Sequence, residues 1–394
     1  MTGNQEERSD RFIELPARMV LTGEGIKAFQ KAGTPVQRVL NREGVPREGL
    51  EAPRFNGKTA QKLVMNSLLE EICTQLPDML SRRYQIISTT NLIVYAILYK
   101  KLSPSLGKMM FESQIVRDFN RKNPKNSIVD IKHVNLEQAN ALFQKHPGLF
   151  EKIEGDIREL VEARIQARSG IEDEDRQAMA MSLPKFLAWI DRRIWFLYYV
   201  IFQTSMRDQM RNVFAGMIAR YLEHTRLATH LSHLVMEFIQ NAEKAHFERL
   251  IVRAGMAGRE EVDKFLRDAE NRKKVIAAAI KTKQYLDISW NMNPERLSVG
   301  QHYRVQITIS NYGLIEDDVR DALVRKMKTN VDGIGISDFY TGGDGDPDKL
   351  GAGLGLLYNS YLEDLCKQEG INYRCTIYPE PRLEKTTVRI EMAL

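Results

Sequence analysis

Hydrophobic positions recur along this chain with two periods. In "TAQKLVMNSLLEEICTQLPDMLSRR" (59–83) Leu63, Val64, Leu68, Leu69 and Ile72 fall at helical spacing, and "LFEKIEGDIRELVEARIQARS" (149–169) repeats the pattern. A mostly helical domain is expected over 57–222. Beyond it the period shortens to two. "YLDISWNM" (285–292) alternates Leu286, Ile288, Trp290 and Met292 with polar partners, and "YRVQITIS" (303–310) alternates Tyr303, Val305, Ile307 and Ile309. "YRCTIY" and "TTVRIEMAL" near the C-terminus do the same, the latter through Val388, Ile390, Met392 and Leu394. These read as half-buried strands of an antiparallel sheet.

Amphipathic helices around 226–249 and 354–367 interleave with those strands. The economical arrangement is a sheet covered by helices on one face. The fold class expected is therefore α+β: an N-terminal all-helical domain followed by a two-layer α/β sandwich with a mixed, mainly antiparallel sheet. Residues 1–56, with scattered Gly, Pro, Arg and Glu and little periodicity, read as an extended or partly disordered leader. The segment "GREEVDKFLRDAENRKKVIAAAIKTKQ", at about 257–284, reads as a helical insertion in the 223–394 domain.

Composition narrows the classes. The 394 residues carry a formal charge of +5 spread along the chain rather than gathered in a block, which is weak evidence for a nucleic-acid or anionic-membrane partner. Cys73, Cys366 and Cys375 form no CxxC pair, which argues for a reducing cytoplasm and against structural zinc. The most apolar runs, "IWFLYYVIF" (194–202) and "LIVYAILY" (92–99), are far short of the ~20 residues a membrane span needs. Their aromatics read as core.

Candidate chemistry lies in the C-terminal half. "THLSHLVMEFIQNAEKAHFERL" (229–250) reads as one helix whose apolar arc is Leu231, Leu234, Val235, Phe238, Ile239 and Ala242. Glu237, Asn241 and Lys244 form a polar stripe at its edge, spaced E-x-x-x-N-x-x-K. An amide oxygen can ligate Mg²⁺, an ammonium can meet phosphate and a carboxylate can deprotonate an attacking group. The same spacing also suits a solvated helix face with paired charges. "KLGAGLGLLYNSYLEDL" (349–365) places Gly351, Gly353 and Gly355 ahead of a helix, and free N–H groups there attract phosphate. No G-x-x-x-x-G-K-[ST] occurs, and no dinucleotide fingerprint follows a strand.

The order of these parts resembles the ATP-binding domain shared by sensor histidine kinases, anti-sigma-factor kinases, gyrase and MutL, the GHKL superfamily. The resemblance covers roughly 223–394. Glu237, Asn241 and Lys244 fall on its N box, and Gly351, Gly353, Leu354 and Gly355 on its second glycine box. "EKTTVRIEMAL" resembles its last strand. What this implies is ATP as ligand, Asn241 on Mg²⁺, Lys244 near phosphate, Glu237 as general base and a lid before Gly351. The first glycine box departs from D-x-G-x-G. After "RVQITIS" come Asn311, Tyr312, Gly313, Leu314 and Ile315, so Asn stands for Asp and Ile for the second Gly. A second register exists at "VDGIGIS", with Asp332, Gly333 and Gly335. The strand before Asn311 and the helical pattern "IEDDVRDALVRKM" behind it favour Asn311, with Gly313 as the box glycine.

A sensor kinase also needs a phospho-accepting histidine outside the ATP domain. His230 and His233 share the helix of Glu237, so neither can swing to a γ-phosphate as a separate helix does; His133 and His146 lack a helical setting, and His224, on a helix just ahead of the N box, is like them not followed by the acidic residue and Pro that mark the acceptor. The implied function is an ATP-binding signalling protein, a histidine-kinase-like phosphotransferase or ATPase acting on a response regulator or another signalling protein, as a cytoplasmic homodimer. The alternative is a non-catalytic, nucleotide-dependent switch that docks a partner. A nucleic-acid-dependent ATPase ranks below both.

Overall fold

The computed structural model describes residues 12–171, 173–292, 294–297, 300–327 and 354–394. The protein is α+β, and the chain divides into two compact units, Met1–Ala96 with Thr229–Leu394, and Ile97–Ala228. The helical unit is thus inserted between two sheet-building segments, rather than preceding the sheet as a 57–222 domain. Among the described residues no helix is long and apolar enough to cross a membrane.

The inserted unit includes the helices Gln114–Lys122, Leu136–Lys145, Pro147–Ala167, Asp173–Trp189, Arg192–Phe202 and Arg207–Leu222. Asp191 starts the Arg192–Phe202 helix by accepting from the Arg193 backbone N–H. Trp195 and Tyr198 are fully buried, with ring centroids 5.2 and 5.0 Å from Phe214. The aromatic run "WFLYY" is therefore packing, as its helical spacing suggested. Two buried carboxylates are paired, Glu223 with Arg168, and Asp175 with Arg226 at 2.6 Å.

In the other unit β1 (Phe12–Ile13) pairs with β5 (Phe55–Asn56). The remaining strands are β2 (Ala17–Leu21), β3 (Gln37–Leu40), β4 (Pro46–Ala52), β6 (Leu69–Leu76), β7 (Leu286–Asn291), β8 (Pro294–Leu297), β9 (Gly300–Tyr312), β10 (Asn372–Glu380) and β11 (Lys385–Ala393). They form one antiparallel sheet in the order β10-β11-β9-β7-β6-β2-β4-β3, with β8 on β9.

Two expectations are corrected here. Residues 12–56 are no loose leader: they supply β1–β5 and the helix Gly23–Lys31, which Thr22 caps through its side chain. Two of their glycines, Gly25 and Gly49, mark close approach rather than freedom. A Cβ on Gly25 would lie 2.2 Å from the Leu68 carbonyl oxygen, and one on Gly49 2.2 Å from that of Met19. Leu69–Leu76 is a strand, not a continuation of the helix Gly57–Met65. The helix stops because Ser67 adopts φ 55°, with Leu68 N–H bonded to Leu63 O at 2.8 Å and Ser67 N–H to Val64 O at 3.0 Å. Leu69 and Ile72 therefore face a sheet core instead of a helix stripe.

The sheet has two unlike faces. One carries Ile288, Trp290, Val305, Ile307, Ile309, Val388 and Ile390 in register. Helices cover it: Trp290 donates to Thr90 of the Arg83–Glu112 helix at 3.0 Å, and Tyr373 to Asn359 of the Leu354–Gln368 helix at 2.6 Å. The opposite face is polar yet buried, with Glu71, Asp287, Ser289, Thr308, Ser310 and Thr387 all under 9% exposed. Arg42, in the β3–β4 turn, bonds Ser310 at 3.2 Å, Thr387 at 3.3 Å and Glu380 at 2.6 Å. The half-buried strands expected at 285–292 and 303–310 are therefore buried on both faces over 286–290 and 307–311.

Candidate functional site

The helix Arg226–Arg253 buries Leu231, Leu234, Val235, Phe238, Ile239 and Ala242, the arc read from the sequence. Its polar edge divides by exposure. Asn241 and Lys244 are exposed, whereas Glu237 is half-buried, and burial pushes its carboxyl above the usual carboxylate range. Lys244 pairs with Asp263 at 2.9 Å, but the two side chains are 59% and 67% exposed. Such a pair is weak enough for an incoming phosphate to replace.

The residue between them was missed. Glu243 is buried behind the stripe, where it accepts from the Met79 and Leu80 backbone N–H groups at 2.8 and 3.0 Å and pairs with Arg272. Arg272 also reaches Asp78 at 3.2 Å. Burial and the neighbouring Asp78 push the Glu243 carboxyl up, against the two N–H donors and Arg272. Arg272 belongs to the helix Ala269–Thr282. Phe247, Leu250 and Ile251 make a common core with Val262, Val275 and Ala279, so the 257–284 segment braces the helix that carries Asn241. No sequence signal separates Glu243 from the solvated acids around it.

The elements that carry the two expected glycine boxes reach opposite ends of this helix. Toward its start, Tyr358 Oη lies 2.7 Å from His230 Nδ1 and 3.3 Å from His233 Nδ1. Tyr358 stands in the Leu354–Gln368 helix, whose first residues, Leu354 and Gly355, lie in the expected second box. Toward its end, the His246 ring centroid is 6.3 Å from that of Tyr312, and Arg249 crosses Gly313. A Cβ on Gly313 would meet Arg249 Nη1 at 3.2 Å, and its φ of 114° excludes other residues without strain. His246 is fully buried, bonds the Gln284 carbonyl at 3.1 Å, and burial lowers its pKa to about 4.

Asn311 is 8% exposed, pairs with Thr386 across the β9–β11 ladder, and shares the helix-covered face with Ile309. Its Nδ2 donates to the Tyr312 carbonyl at 3.3 Å, so Oδ1 is the amide atom left for a further acceptor role. Gly313 N–H bonds Glu384 O at 2.8 Å, and Thr386 Oγ1 donates to Gly313 O at 2.5 Å. The helix expected after this turn is Asp317–Met327. Gly351, Gly353 and the alternative Asp332, Gly333 and Gly335 lie outside the described residues. Among the described residues no three His, Cys, Asp or Glu converge on a metal position, His230, His233 and Glu237 included.

A family of unknown function, DUF8084, matches residues 8–394, and the chain belongs to it. It is 25% identical over 382 residues to an uncharacterized protein of Treponema pallidum (strain Nichols), covering 96% of this chain and 97% of that one. No solved structure matches the chain significantly.

Proposed function

We propose that this member of DUF8084 binds Mg·ATP along the polar edge of the Arg226–Arg253 helix, and acts as a histidine-kinase-like phosphotransferase or ATPase on a partner protein such as a response regulator. The observation that carries the reading is the contact of one E-x-x-x-N-x-x-K helix with both glycine-box elements, through Tyr358 at one end and Tyr312 and Gly313 at the other. In this reading Asn311 Oδ1 accepts from the base amine, the Asn241 amide oxygen meets Mg²⁺, and Lys244 leaves Asp263 for phosphate. The nucleotide supplies the transferable phosphoryl group. One amide suits Mg²⁺, which fills most of its shell with phosphate and water oxygens. Glu237, held above the ordinary carboxylate range by burial, takes a proton from the attacking group once ionised, so turnover rises with pH through that raised pKa.

The proposed setting is a cytoplasmic homodimer. Cys73 and Cys366 are buried free thiols, and Cys375 is a half-buried one, in keeping with a reducing compartment. Titration calorimetry with Mg·ATP tests the site: Asn241→Asp and Lys244→Ala should each weaken binding about 10-fold or more, and unchanged affinity in both rejects it.

A second reading, a nucleotide-dependent switch that transfers nothing, has its own support. His230 and His233 are engaged with Tyr358 inside the nucleotide unit, and Asn311 replaces a carboxylate. Transfer of ³²P from γ-labelled ATP to the chain or a co-purified partner, abolished by Glu237→Ala, would reject the switch. Nucleotide binding without transfer would favour it.

A further inference from the structure

Arg249 stands two turns beyond Asn241 on the same helix, where its guanidinium is 21% exposed. Nη1 is buried and has no hydrogen-bond partner. An unmade charge-assisted bond at a buried donor costs more than its net worth when made, so such a group calls for an acceptor. The candidate counter-ions do not fill the role. Glu384 is 3.9 Å from the other terminal nitrogen, Nη2, and 70% exposed, and the neighbouring charge of Arg253 only adds repulsion. Burial and Arg253 together push the Arg249 pKa down, the mark of a cation not fully compensated.

The position of that nitrogen is specific. It lies against the bare Cα of Gly313, the one residue of the turn whose left-handed φ of 114° leaves room for a guanidinium. Two residues back, Asn311 has its amide nitrogen bound to the Tyr312 carbonyl, and its Oδ1 is the acceptor on that side chain. An acceptor near the end of β9 and an unpaired donor near the end of the helix thus flank the same Gly313 turn. A purine ring edge presents the complementary pair, an exocyclic amine next to a ring nitrogen.

We propose that Arg249 is a base-recognition residue, whose Nη1–H donates to a ring-nitrogen acceptor of a purine while Asn311 Oδ1 accepts from the exocyclic amine. This rests on the nucleotide-site reading and adds its direction: base toward Gly313, phosphates toward Glu237 and the Leu354–Gln368 helix. It also assigns a role to the Asn in place of Asp at 311, since a neutral acceptor leaves the nearby guanidinium unneutralised and available to the base.

The test is calorimetry on the full chain with ADP, adenosine and inorganic tripolyphosphate as separate probes, comparing wild type with Arg249→Gln and Arg249→Lys. The expected result is about a 10-fold loss for ADP and adenosine alike in Arg249→Gln, partial retention in Arg249→Lys, and tripolyphosphate binding unchanged. As a check on direct contact, an adenosine analogue lacking the ring acceptor should bind wild type as weakly as adenosine binds Arg249→Gln. Equal loss of tripolyphosphate would make Arg249 a phosphate ligand and overturn the proposal, as would unchanged adenosine affinity. Should wild type bind neither ADP nor adenosine, the nucleotide site itself falls, and this assignment with it.

Discussion

Two arginines meet the same sheet in opposite ways. Arg42, 11% exposed, lies over the polar face, where its Nη2 has Glu380, Ser310 and Thr387 within 3.3 Å. Arg249, 21% exposed, lies at the end of the helix-covered face and has a buried terminal nitrogen bonded to nothing. Both charges are largely taken from water, yet only one is answered by the protein. The first arrangement holds a fold together; the second leaves an interaction to be completed from outside. Buried polarity alone therefore does not mark a site here.

Removing the engaged arginine should have the largest effect. Arg42→Ala leaves Glu380 charged among buried hydroxyls and should cost about 3–5 kcal/mol of unfolding free energy, measured by denaturant titration. If the comparison holds, the folded fraction of that variant binds nucleotide as wild type does. A stability loss below about 1 kcal/mol would make the two arginines equivalent.

Acid should expose the base end next. The folded pKa of His246 is about 4 against 6.5 for the free side chain, because burial disfavours its cation. Its contribution is intact above about pH 6.5 and is lost as pH falls toward 4, up to about 3 kcal/mol from a shift of that size. Asp287, Arg249 and Lys385 also act on this ring, Asp287 raising its pKa and the two cations lowering it. His246→Gln should flatten the pH dependence of stability in this window; an unchanged profile would show that His246 is not its source.

At the other end, Glu237→Gln should reduce turnover about 100-fold while nucleotide affinity holds. The carboxyl's folded pKa is raised, so the native state binds its proton more tightly, and the group's contribution is present at low pH and lost as pH rises through that pKa. The Gln variant should thus be no less stable than wild type at neutral pH, measured by thermal melting. A destabilised Glu237→Gln would indicate a structural carboxylate like Glu243. The smallest effect is expected for Lys244→Ala, whose exposed pair with Asp263 contributes less than about 1 kcal/mol to stability, so its loss should appear in ATP affinity and not in melting.

The sequence was informative where one period dominated. The alternation through Ile288 and Trp290, and the arc through Leu231 and Ile239, became a strand and a helix face because each buries one apolar side against a neighbour. It was opaque where a single residue changed the period. Ser67 carries the left-handed turn that glycine usually marks, so the break between the Gly57–Met65 helix and β6 left no trace in composition. Gly25 and Gly49 looked like flexible-loop residues although each sits against a backbone carbonyl. The placement of the candidate residues was legible in outline, since Glu237, Asn241 and Lys244 share one helix edge. Arg249 was not, because an arginine with an unpaired buried nitrogen and one in solvent look alike in a string of letters.

The central claim is that one helix, running between Tyr358 and Gly313, lies along a nucleotide in a fixed direction. A structure of the full chain with Mg²⁺ and a non-hydrolysable ATP analogue tests it most directly. The account predicts the base against Arg249 and Asn311, the metal at Asn241 and the phosphates toward Lys244 and Gly355. A nucleotide lying in the reverse direction, or bound elsewhere than along this helix edge, would contradict it.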